Sequence, residues 1–97
     1  MKLKFGLEEK PHDFLEEIAL RHKNLRKQVG LTQNELANRS GVSLGSIKRF
    51  ESTGQISLES LLKLSLVLGR LNDFELILKP VENLAAIEKL FSDKTRR

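Results

Sequence analysis

The chain reads as an all-α fold of five helices with a short C-terminal helical extension, and three observations predict it. Apolar residues recur at the three- and four-residue spacing that places them on one face of a helix. The joints repeat one signature, in which an apolar residue precedes a capping residue and a second apolar residue follows four positions after the cap, the hydrophobic staple of a helix start. It occurs as Leu31-Thr32 with Leu36, Val42-Ser43 with Ile47, Ile56-Ser57 with Leu61, and Leu71-Asn72 with Leu76. Finally, Gly30, Gly41 and Gly69 stand where helices should stop, because glycine enters the left-handed region without a steric penalty.

The first helix is predicted over about Asp13 to Gln28, with Phe14, Ile18, Leu25 and Val29 on its apolar face and Phe14 in the core with Phe50. The second spans Gln33 to Ser40, opened by Thr32 and Glu35 as a reciprocal capping box. The third spans Leu44 to Ser52 and buries Ile47 and Phe50; the fourth, Leu58 to Leu68, is so rich in leucine that it should be central to the core. For Asp73 to Leu78 the alternation Phe74-Glu75-Leu76-Ile77-Leu78-Lys79 also suits a strand, but the Asn72-x-x-Glu75 cap favours a fifth helix, stopped by Pro80. Leu84 to Phe91 completes the pattern as an amphipathic helix before a polar tail. This divides the chain into an arm over 1–12, a domain over 13–79 and an extension over 80–97.

With 97 residues, 39% of them apolar, the chain supports one hydrophobic core and not two. The absence of cysteine excludes disulfides, thiolate metal sites and thiol nucleophiles, which makes a reducing cytoplasm the expected setting. No apolar run approaches the roughly 20 residues of a membrane span, so no membrane partner is expected. A net charge of +4 says little, but its distribution says more. Arg21, Lys23, Arg26, Lys27, Arg39, Lys48 and Arg49 face only Glu35 in the segment from 21 to 49, while the remainder is net acidic. Such polarity is an electrostatic footprint for phosphate.

Two helices joined by a short glycine-containing turn form a helix-turn-helix, whose second helix can enter the major groove of DNA. Residues 33 to 52 fit this plan. With Leu31-Thr32-Gln33-x-Glu35-Leu36-Ala37, Ser40-Gly41-Val42-Ser43, Ser46-Ile47 and Phe50-Glu51, the chain resembles the Xre/Cro/434-repressor family over about Leu25 to Leu68. The resemblance implies a five-helix, lambda-repressor-like domain that binds double-stranded DNA as a homodimeric transcriptional repressor, cytoplasmic and associated with the bacterial nucleoid when bound.

Roles carry over position by position. Gln33, Ser43, Ser46 and Lys48 match phosphate-holding positions, with Ser43 alternatively serving only as a helix cap. Leu44, Gly45 and Arg49 match the positions that read base edges; Arg49 can pair bidentately with guanine O6 and N7 or, alternatively, remain solvated or on a phosphate. Leu44 and Gly45 depart from the polar residues common there, so a thymine methyl, close backbone approach and DNA shape would carry part of the specificity. Arg26 and Glu51 match an ion pair that ties the first helix to the end of the third; the alternative is two exposed charges of little worth.

Enzymatic readings are weak. His12 and His22 have no carboxylate or cysteine at metal-ligand spacing and are expected on the surface or a helix face, and neither a phosphate-binding glycine loop nor a serine elbow is visible, so no metal or cofactor is expected. RNA binding is disfavoured by the lack of Tyr and Trp. Leu76, Ile77, Leu78, Val81, Leu84, Ile87, Leu90 and Phe91 exceed what one domain needs, and serve either a dimer or the chain's own core. The layout, ending in Lys94, Arg96 and Arg97, also resembles HipB-type antitoxins, which implies an alternative partner: a kinase-type toxin bound by the tail.

Overall fold

The computed structural model describes residues 10–81, 85 and 88–91. Helix α1 runs Pro11–Val29, α2 Gln33–Ser40, α3 Leu44–Thr53 and α4 Leu58–Val67, and a short 3-10 helix follows at Leu71–Phe74. No strand occurs among the described residues. α1 starts two residues before Asp13 because Pro11 occupies its first turn, where the missing N–H costs nothing. It ends in a Schellman motif: Gly30, at φ 90°, donates to Lys27 O and Leu31 donates to Arg26 O.

Three of the four staples form. Thr32, Ser43 and Ser57 each accept from the backbone N–H three residues on, and Glu35 returns the favour to Thr32 N at 2.9 Å. Their flanking apolar residues supply much of the core, in which Leu31, Leu36, Val42 and Ile47 join Ala19, Phe50, Leu64 and Leu68. Leu36, Ile47, Phe50 and Leu64 are fully enclosed, so α2, α3 and α4 share one centre. α4 is central through only one of its faces, since Leu58 and Leu66 are exposed.

The fourth staple is a correction. Between Gly69 and Pro80 the chain makes a single 3-10 turn and then further tight turns, with Glu75, Ile77 and Lys79 each donating to the carbonyl three residues back. The fifth helix is thus a 3-10 turn that ends at Phe74 and not an α-helix over 73–78, no strand is present there, and Asn72 does not cap it. Helical order over so short a segment depends on packing an apolar face. Here Leu76 is 74% and Leu78 96% exposed, Leu78 turns to φ 55°, and Pro80 disfavours helix in the residue before it. Ala85 and residues 88–91 are helical, while the other positions of the final helix expected over 84–91 lie outside the described residues.

The face of α1 is a second correction. Phe14 (42% exposed), Ile18 and Val29 are outside, and the buried positions are Ala19, His22 and Arg26. Leu25 does pack against the core as expected, but His22 and Arg26 take the place of Phe14, Ile18 and Val29 because their partners lie on α3. The helices meet closely at Gly54, the left-handed cap of α3 and a position not among the three glycines expected to end helices. A Cβ there would stand 2.8 Å from the Leu15 carbonyl carbon, so the turn after α3 rests directly on the α1 backbone.

Candidate nucleic-acid interface

A buried polar network joins α1 to α2 and α3. Arg26 Nε donates to Glu51 Oε2 at 2.8 Å and Nη2 to Oε1 at 2.9 Å, a bidentate pair, while Nη1 donates to Leu31 O. Gln33 Nε2 donates to the same Oε1 at 2.9 Å. His22 Nδ1 lies 3.0 Å from Glu51 Oε2 without hydrogen-bond alignment, and its ring packs edge-on against Phe50 with centroids 5.0 Å apart. Glu51 thereby ties α1, α2 and the last turn of α3 together, with its side chain only 3% exposed.

His22 is itself 6% exposed, so of the two expected placements it takes the helix face, on the buried side of α1, and not the surface. Burial lowers its pKa, and the Glu51 carboxylate beside it offsets this only in part. Burial opposes ionisation of Glu51, yet the bonds from Arg26 and Gln33 and the charges of Arg26 and His22 outweigh it, so that pKa is lowered too. Both shifts act in one direction. As pH falls below the ordinary histidine value of 6.5, the unfolded chain takes a proton that the folded chain resists; below about 4.5 the same holds for Glu51. Urea midpoints should therefore fall as pH drops from about 8 to about 5.5, with a further fall in the carboxylate range. The first step should vanish in His22→Phe, and a wild-type midpoint flat down to about pH 5.5 would contradict this reading.

α3 presents its other side to solvent. Ile47 and Phe50 point inward, Leu44 is half-buried, and Gly45, Ser46, Lys48 and Arg49 are exposed. Ser43 Oγ accepts from Ser46 N at 3.1 Å and donates to Ser46 Oγ at 2.8 Å, so it caps the helix, with its hydroxyl at the exposed N-terminus. No acidic residue lies in the first turn, where the helix dipole favours anions. Gln33, held on Glu51, keeps a second amide N–H for another acceptor. Of the seven basic residues between 21 and 49, Arg26 is consumed internally and Arg21 pairs with Glu17, whereas Lys27, Arg39, Lys48 and Arg49 remain exposed.

A family model described as Helix-turn-helix, of the Xre/Cro type, matches residues 23–74, more than half of the chain. The chain belongs to the Xre/Cro-type helix-turn-helix family. Its helix-turn-helix is thus α2 and α3, and the domain is one of sequence-specific DNA-binding regulators. None of the curated proteins compared is similar enough to count as a relative. Among the described residues no group of three His, Cys, Asp or Glu is placed to hold a metal ion, and no helix is long and apolar enough to cross a membrane.

Two features of this helix-turn-helix escape the sequence. His22 carries only a weak signal, its i, i+4 relation to Arg26, which puts both on the face that meets Glu51. Gln55 carries none: its amide oxygen accepts a hydrogen bond from Arg49 Nη2 across the turn after α3.

Proposed function

We propose that the protein is a dimeric repressor that lays α3 in the major groove of a two-fold symmetric operator. In this reading Arg49, Leu44 and Gly45 meet base edges and Gln33, Ser43, Ser46 and Lys48 hold phosphates. The observation that carries it is Gly45. This residue is the second of α3, on its exposed side and without a positive φ, and a Cβ built on it meets nothing within 4 Å. Neither the backbone conformation nor a close neighbour requires glycine at this position in the first turn of α3. A requirement from outside the chain, close approach of a DNA edge or backbone, accounts for it.

The test follows directly. Gly45→Ala should leave the unfolding free energy unchanged or raise it by less than about 1 kcal/mol, since the mid-helix value is an upper bound in the first turn. The same change should weaken binding to the duplex that wild-type protein enriches from a randomised pool, and that duplex should carry two half-sites about one helical turn apart. A folded variant with unchanged affinity, or enrichment of no symmetric site, would refute the reading.

Leu76, Ile77, Leu78, Val81, Leu90 and Phe91 are all exposed, and this favours a second reading in which a protein partner covers them. That partner is either the second copy or, in an antitoxin, a kinase-type toxin. Sedimentation of the purified chain separates the two: a dimer assigns the surface to a second copy, and a monomer that joins a co-expressed kinase assigns it to the toxin.

A further inference from the structure

We propose that Gln55 is a specificity-determining residue that acts on DNA through Arg49, a role that rests on the reading of Arg49 as a base-edge contact. The guanidinium is exposed and long, and a free arginine loses much rotamer entropy when it is fixed on a base. Here part of that ordering is done in advance. Gln55 Oε1 accepts from Arg49 Nη2, which fixes one end of the fork. The remaining N–H groups are enough for a two-bond contact with guanine.

The acceptor is itself held. Thr53 Oγ1 donates to Arg49 O at 2.7 Å and accepts from Gln55 N at 3.1 Å, so the turn closes around the residue it orients. Gly54 N donates to Phe50 O at 2.7 Å, and the backbone of Leu15 lies against the same glycine. The turn from Thr53 to Gln55 is thus fastened both to α3 and to α1. Arg49 and Gln55 border an open recess of 280 Å³ with Ser46, Ile56, Ser57 and Ser60, which leaves the guanidinium accessible from outside.

A double-mutant cycle tests this, using the duplex enriched by wild-type protein, versions of it with each guanine replaced in turn, and an unrelated duplex. Gln55→Ala should weaken the enriched duplex by about two- to tenfold, the ordering of one side chain, and leave the unrelated duplex unaffected. It should also reduce the preference for the one guanine whose replacement no longer matters in Arg49→Ala. Gln55→Glu, which keeps the acceptor, should retain the preference. In an Arg49→Ala background Gln55→Ala should have no further effect. A penalty that persists there would mean that Gln55 touches DNA independently, and a guanine preference that survives Gln55→Ala would mean that the hydrogen bond orients nothing; either overturns the proposal. If Arg49→Ala itself leaves every guanine preference intact, the underlying reading of Arg49 fails first and takes this one with it.

Discussion

Glu51→Ala is expected to lower the unfolding free energy by about 3–5 kcal/mol in urea denaturation, the largest loss anticipated for any single side chain here. The reason is what the substitution leaves behind. Arg26, 7% exposed at its side chain, would retain only the Leu31 carbonyl, and Gln33 and His22 would lose the acceptor between them. An uncompensated buried cation is the costly species. Glu51→Gln should fall between the two, because it keeps a carbonyl for one Arg26 bond but neither the charge nor the second acceptor. Replacing Arg26 and Glu51 together by methionine should recover most of the loss, since the pair's attraction is largely offset by its desolvation. A loss under about 1 kcal/mol for Glu51→Ala would place the pair with exposed ion pairs and deny the network its role in locking α3 to α1.

This network is also where sequence reasoning reaches its limit. Caps and staples are local, and so Gln33–Ser40 and the start of α3 at Leu44 can be read from a few adjacent residues. The face of α1 is not local. Amphipathic reading assumes that charge points outward, and Phe14, Ile18 and Val29 make a plausible inner face until Glu51, 25 residues from Arg26, supplies partners that reverse it. The segment after Gly69 fails for the opposite reason. Its cap signature and periodicity are present in the sequence, but past the 3-10 turn Leu76, Ile77 and Leu78 are exposed, and without a buried apolar face the α-helix does not continue. That Gly45, Ser46, Lys48 and Arg49 face solvent follows from the spacing of Ile47 and Phe50, whereas the Arg49–Gln55 bond depends on how the turn folds back after Gly54.

Arg49→Ala is the second change with a large expected effect, and it acts on DNA rather than on the fold. The side chain is exposed and covers none of the core, so the thermal midpoint should hold. Affinity for the enriched duplex should fall by about 1–3 kcal/mol, the discrimination of one bidentate arginine, while affinity for an unrelated duplex should fall far less. Arg49→Lys decides between charge and geometry. A lysine restores the positive charge but offers a point donor in place of a planar fork, so it should recover non-specific binding without recovering the guanine preference. Were Arg49 on a phosphate instead, Arg49→Ala would weaken all duplexes alike, reduce the salt dependence by about one counterion, and be largely rescued by lysine. The two outcomes are mutually exclusive because a phosphate contact carries no sequence information, whereas a base contact changes which sequence binds best. With Leu44 and Gly45 donating no side-chain hydrogen bond, the proposed reading assigns that difference to Arg49, whose guanidinium is held at one end by the fastened turn behind it.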